Sequence, residues 1–190
     1  DSLADLVTSG VVPGIVMFQL MLYATKKKWF MELSSVTGSW QEPQETFYFF
    51  IPFIGLIITL AAAYRLANFN IDERQTTSFI GLPTPAFSIF VLSLPLILFY
   101  SEHAFFIKVL QNIYALIGIT LAGSYLMNAE IPLFSLKFKT YGWKGNEVKY
   151  VFLLATLGLL IGLKTVAIPL VIILYILLSI LANYSLKKRI

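Results

Sequence analysis

The stretch TVAIPLVIILYILLSILANYSL, residues Thr165–Leu186, carries no charged side chain and decides the class of fold. A helix needs about 20 mostly apolar residues to cross the hydrocarbon core of a bilayer. Composition agrees, because 58% of the 190 residues are apolar and only 13% are charged. Soluble domains have roughly 45–50% and 25%. A soluble fold of this size cannot bury so much apolar surface, so lipid must act as its solvent.

Further runs without charge lie upstream and define the expected spans. The run closest to Thr165 is short, but Lys149 and Lys164 could snorkel from its ends and extend it to bilayer length. We therefore expect an all-α fold, a polytopic transmembrane helix bundle of about six spans in one transmembrane domain, residues 1–190. The five upstream runs are Leu6–Thr25, Thr46–Tyr64, Gln75–Ser101, Val109–Ala129 and Tyr150–Leu163.

The distribution of positive charge sets the expected orientation. With six spans, nine Lys and Arg side chains fall on the side that holds both termini, and five fall on the other side. Without the short span the division would be seven and seven. Cytoplasmic loops carry the excess of Lys and Arg, so the count favours six spans with both termini in the cytoplasm.

Residue types that are absent exclude several kinds of site. The chain has no cysteine, which excludes disulfides and thiolate metal sites. Its single histidine, His103, excludes clustered-His metal sites and argues against a Ser-His-Asp triad. A metal would need carboxylate ligands, which favours magnesium, manganese or calcium over zinc.

Asp1 and Asp5 form the first candidate site. Residues four apart project from one face of a helix, and here the helix that follows is apolar. Two carboxylates at the mouth of a membrane span repel each other unless a positive charge neutralises them, and a divalent cation with oxygen ligands would do so. The alternative is that both acids are solvated, or favoured by the helix dipole.

Two further features lie on the same expected side of the membrane. Arg65 follows a charge-free run and precedes Asn68 and Asn70; a guanidinium grips phosphate bidentately, although a snorkelling anchor is the alternative. Gly81 precedes Pro83 and a second proline. A helix start explains the prolines, whereas the glycine suggests a close backbone approach or a positive φ.

These features together resemble the CDP-alcohol phosphatidyltransferase family. The family signature reads D-x-x-D-G-x-x-A-R, then eight or nine residues, then G-x-x-x-D-x-x-x-D. Asp1-Ser2-Leu3-Ala4-Asp5 is similar to its end, with Asp1 as the third and Asp5 as the fourth aspartate. Three blocks also resemble the phosphatidylserine synthase branch: Leu6–Pro13, Arg65-Leu66-Ala67-Asn68-Phe69-Asn70, and Phe79-Ile80-Gly81-Leu82-Pro83. Asn68 departs from the pattern, since an Arg is common there.

The resemblance implies an activity and a role for each residue. The enzyme would be a CDP-diacylglycerol–serine O-phosphatidyltransferase of phospholipid biosynthesis, which uses L-serine and releases CMP. Asp5 would be the catalytic base, and Asp1 and Asp5 would be ligands of Mg²⁺ or Mn²⁺. Arg65 would bind phosphate or the serine carboxylate, and Asn70 with the Gly81–Pro83 loop would shape the serine pocket.

The resemblance also implies a location and partners. We expect an integral protein of a bacterial-type inner membrane, with the active site facing the cytoplasm. Its partners would be CDP-diacylglycerol, L-serine and membrane lipid, without nucleic acid, and a homodimer is allowed. We also expect an N-terminally truncated chain, because the first half of the signature is not in it. A sibling transferase for glycerol phosphate or inositol, or a non-catalytic transport subunit, remains an alternative.

Overall fold

Helices make up almost all of the described structure. It is a computed structural model that describes residues 2–26, 50–71, 79–133, 142–143 and 146–187. Chain order gives α1 (Ser2–Leu6), a π-helical turn (Val7–Val11), α2 (Val12–Lys26), a 3₁₀ turn (Ile51–Leu56), α3 (Ile57–Ile71), α4 (Thr84–Tyr100), α5 (Ala104–Leu110), α6 (Ile113–Asn128), α7 (Glu147–Leu163), a 3₁₀ turn (Lys164–Val166) and α8 (Ala167–Lys187).

Two short strands join distant parts of the chain. β1 (Phe79–Ile80) precedes α4, and β2 (Pro132–Leu133) follows α6. They pair antiparallel, with Phe79 opposite Leu133 and Ile80 opposite Pro132. This pairing ties the segment that leads into α4 to the segment that leaves α6.

The described helices include three segments long and apolar enough to cross a membrane: Ser2–Thr25, Ile51–Phe69 and Glu147–Ala182. A fourth results if α5 and α6, which are bent by 77° at their break, count as one span. The predicted all-α membrane fold is thus confirmed in class, whereas the predicted count of about six spans is not confirmed. At 17 residues, α4 is shorter than those three segments.

The third of these segments folds back on itself. Phe152 in α7 and Tyr175 in α8 have ring centroids 5.9 Å apart, whereas a straight helix would separate two such positions by roughly 34 Å. Lys164 lies at the reversal with a φ of +48°, in the left-handed region that residues other than glycine rarely adopt. Helices α7 and α8 therefore form a hairpin.

Two predicted boundaries are wrong by several residues. In the predicted span Gln75–Ser101, residues 75–78 lie outside the described structure, and the helix begins at Thr84 because Phe79–Pro83 form β1 and a glycine–proline turn. The predicted span Thr46–Tyr64 continues as α3 to Ile71. Arg65 consequently lies within a helix and not after its end.

A buried core and an apolar outer surface coexist, as expected in lipid. Met17, Ile58, Val91 and Leu116 are each fully buried in one cluster that joins the helices. Other large apolar side chains point outward, for example Ile161 at 74% exposure. In water such a surface would be unfavourable, but lipid tails are as apolar as the side chains they contact.

Candidate functional site

The segment Val7–Lys26, which follows α1, packs closely against α3, and this packing indicates which residues of α3 lie beside Asp5. A Cβ added to Gly10 would lie 3.0 Å from the Ala62 Cβ, and one added to Gly14 would collide with the Thr59 hydroxyl. Residue numbers rise along one helix as they fall along the other, so the two run antiparallel. Continuing this register places Asp5 at about the level of Arg65 to Asn68.

Asp5 is an exposed carboxylate in the last turn of α1. Other side chains therefore leave it accessible. Asp1, the other predicted metal ligand, lies outside the described residues. Among the residues that the structure describes, no group of three His, Cys, Asp or Glu side chains could hold a metal ion.

Arg65 is buried, with only 9% of its surface exposed. Its Nη1 donates a hydrogen bond to the carbonyl oxygen of Met127, which lies in the last turn of α6. The last carbonyls of a helix have no partner within the helix, and a positive charge near them is favoured by the helix dipole. The guanidinium therefore caps α6, and it keeps further N–H donors because arginine has five.

Gly81 lies against the same carbonyl. Its φ is +73°, and a Cβ there would lie 2.6 Å from the Met127 oxygen and 2.9 Å from Arg65 Nη1. The Gly81 amide donates to the Ile131 carbonyl at 2.9 Å. Both properties suggested by the sequence, a positive φ and a close backbone approach, are therefore present at this one residue.

Pro83 and Asn70 are the other two predicted substrate-binding residues. Pro83 is the residue immediately before α4, and its carbonyl accepts the Phe87 amide at 3.1 Å. Asn70 lies in the last turn of α3, and its side chain is outside the described structure. The described geometry thus unites Arg65 with Gly81 and places Pro83 two residues away.

The last turn of α6, with the residues just after it, is a part of this site that sequence reasoning missed. Leu126 accepts the Leu82 amide at 2.9 Å, so the turn at Gly81 caps α6 a second time. Asn128 donates from Nδ2 to the Ala61 carbonyl of α3 at 3.2 Å. Glu130 follows it and is exposed. The only sequence signal was that Asn128 lies near the end of a long uncharged run and Glu130 directly follows that run.

Three separate sequence blocks therefore lie at one end of the helices. An exposed carboxylate and a buried guanidinium lie at about the same level along α3. A backbone turn with little room above it lies against that guanidinium. A carboxylate can bind a cation, and a guanidinium can bind an anion.

A similarity to a bacterial enzyme extends over part of the chain. The chain is 30% identical over 89 residues to CDP-diacylglycerol--serine O-phosphatidyltransferase of Bacillus subtilis (strain 168). The match covers 45% of this chain and 36% of that protein, so it extends over little more than a third of that relative. No protein-family model matches the chain, and no solved structure matches it.

Proposed function

We propose that the protein transfers a phosphatidyl group from CDP-diacylglycerol to the hydroxyl of L-serine. The observation that carries this proposal is the convergence of the Asp5, Arg65 and Gly81 blocks at one end of the helices. The Bacillus subtilis similarity supports it, because that protein's name states this reaction. At a coarser level the same similarity suggests a membrane-bound transferase of phospholipid biosynthesis.

In this proposal Asp5 is the general base. The serine hydroxyl oxygen forms a bond to the phosphorus that carries diacylglycerol, and the bond from this phosphorus to the CMP oxygen breaks. CMP leaves with the electron pair of that bond, and the hydroxyl proton passes to the Asp5 carboxylate. A hydroxyl is a weak nucleophile without a positioned base, and the exposure of Asp5 allows a substrate to reach it.

Arg65 supplies positive charge to an anionic substrate group. Its guanidinium is buried, and one described hydrogen bond to a carbonyl does not neutralise its charge. A phosphate or the serine carboxylate would supply the missing negative charge through its remaining donors. The rigid turn at Gly81, with Pro83 and Asn70, would then bound the serine pocket.

A divalent cation fits the proposal only in part within the described residues. Asp5 is an accessible oxygen donor of the kind that Mg²⁺ or Mn²⁺ accepts. The remaining ligands would be Asp1 and, as the family signature implies, two further aspartates. When bound, such an ion would neutralise charge on the pyrophosphate.

The membrane arrangement follows from the lipid substrate. We propose six spans with both ends in the cytoplasm of a bacterial-type inner membrane. The hairpin of α7 and α8 supports two crossings within Glu147–Ala182, and the nine-to-five division of Lys and Arg supports the orientation. Acyl chains would then stay in the bilayer while the headgroup reacts at the cytoplasmic surface.

The test uses membranes that contain the complete gene product. CMP release is measured with CDP-diacylglycerol and, separately, L-serine, glycerol 3-phosphate or inositol, with Mg²⁺ or Mn²⁺. The proposal expects release that requires serine and yields phosphatidylserine. Release with another alcohol alone would identify a sibling transferase, and no release with any alcohol would support a non-catalytic role.

A further inference from the structure

The helix that carries Asp5 contains a π-helical turn two residues later, at Val7–Val11. The Val12 amide donates to the Val7 carbonyl, which is five residues back instead of four. A π turn holds one extra residue, is rare, and occurs often at functional sites. An isolated helix would relax to α geometry, so neighbouring groups must hold this turn.

Two hydroxyls from other helices bind the carbonyls of the turn. Thr59 of α3 donates from Oγ1 to the Gly10 carbonyl at 3.1 Å. Ser88 of α4 donates from Oγ to the Thr8 carbonyl at 3.3 Å. These are contacts between residues 49 and 80 positions apart in the chain. The two hydroxyls that bind this one turn therefore come from different helices.

The turn determines where Asp5 points. If the turn relaxed to α geometry with the same residues, everything before it would rotate by ~100° about the helix axis, the angle that one residue spans in an α-helix of 3.6 residues per turn. Asp5 lies before the turn and would rotate with α1. Helix α2 lies after the turn, so its packing against α3 would stay in place.

We propose that Thr59 and Ser88 are positioning residues that hold the π turn and thereby aim the Asp5 carboxylate at the reacting hydroxyl. The link to catalysis rests on the proposed function, whereas the link to the direction of α1 does not. Neither hydroxyl belongs to a sequence block that resembles the transferase signature.

The first arm of the test measures turnover of the complete protein. Thr59→Val keeps the shape of the side chain but loses the hydroxyl, and Ser88→Ala does the same with a smaller change. We expect kcat for CMP release to fall roughly 10²-fold or more in each and at least as far in the double variant, because a misplacement of ~1 Å can already cost 10²-fold. KM for CDP-diacylglycerol should change less than about twofold, and Thr59→Ser should restore kcat.

Matched controls come from hydroxyls that bond only within their own helix. Thr120 donates to the Leu116 carbonyl at 2.9 Å, and Ser93 donates to the Phe90 carbonyl at 2.6 Å. Both control side chains are buried, as Ser88 is, so the control substitutions also remove a hydroxyl from the protein interior. Thr120→Val and Ser93→Ala should therefore leave kcat within about twofold of wild type.

The second arm measures the direction of α1 without any activity. The chain has no cysteine, so spin labels at Leu3→Cys and Tyr125→Cys, both exposed positions, can be introduced selectively. A 100° rotation at the radius of a helix surface moves the first label by roughly 8 Å. We expect the label distance to shift by several ångströms in Thr59→Val and Ser88→Ala, and not in the two control variants.

Each outcome decides the proposal. An unchanged label distance in both single variants overturns it, whatever happens to kcat. A shifted distance with normal kcat overturns the link from the turn to Asp5. If the wild type releases no CMP, the proposed function fails, and the label distances still decide whether the two hydroxyls hold the turn. The single variants carry the test if the double variant does not fold.

Discussion

Replacing Gly81 by alanine should strain the candidate site at the end of α6. The backbone there has a φ of +73°, which costs a residue with a Cβ about 1–2 kcal/mol. The new methyl would lie 2.6 Å from the Met127 oxygen and 2.9 Å from Arg65 Nη1. One of these groups must move, and losing a hydrogen bond to a charged group costs about 1.5–3 kcal/mol. The sum is a loss of about 2.5–5 kcal/mol in the free energy of unfolding.

The assay is denaturant unfolding of the purified protein in detergent, with CMP release measured on the same preparation. Gly118 of α6 is the matched control, because a Cβ there would meet nothing within 4 Å. Gly118→Ala should be neutral or stabilise the protein by about 0.5–1 kcal/mol, as expected for a helix interior. A Gly81→Ala protein as stable and as active as Gly118→Ala would refute the reasoning about this turn.

Four further predictions concern the proposed reaction and the topology. Asp5→Asn should lower CMP release by roughly 10²–10⁴, because the base is lost, while CDP-diacylglycerol binding changes little; near-normal turnover would eliminate the base assignment. Asp1→Asn should instead weaken metal dependence and lipid-nucleotide binding together, measured as the Mg²⁺ or Mn²⁺ titration of both, and an unchanged titration would contradict a ligand role. Arg65→Lys keeps the charge but loses the planar fork, so KM for serine or CDP-diacylglycerol should rise about tenfold, and unchanged KM values for both would restrict Arg65 to capping α6. A cysteine at Lys164 should react with an impermeant reagent in intact cells, and one at Lys188 only after lysis; labelling of Lys188 from outside would exclude the six-span orientation.

The class of fold was predictable because lipid imposes a simple requirement on the sequence. A spanning segment must be apolar over most of its length, so a charge-free run such as Leu6–Thr25 is by itself enough to indicate a membrane helix. The boundaries were less predictable, as Arg65 demonstrates. A charged side chain normally marks the end of a span, but here the Met127 carbonyl receives the guanidinium and α3 continues past it. Hydropathy records the charge and not its partner.

For the contacts within the candidate site, the sequence indicated one partner, Gly81, but not the residues that it contacts. The position of Gly81 before two prolines indicated an unusual backbone, and its φ of +73° confirms that expectation. Its partners on the end of α6 could not be predicted, because nothing in the sequence indicates which two loops pair. The π turn gave no signal either, since Thr59 and Ser88 are ordinary residues for membrane helices that commonly bond within their own helix.

The end of α6 explains why the separate blocks depend on one another. Its last carbonyls would be left without partners near an apolar environment, which is costly. The Leu82 amide satisfies Leu126, and the Arg65 guanidinium satisfies Met127. Each cap comes from a different segment, so α3 and the Gly81 turn are held against α6 before any substrate arrives. The proposed transfer would benefit from such preorganisation, because binding energy then need not be used to assemble the pocket.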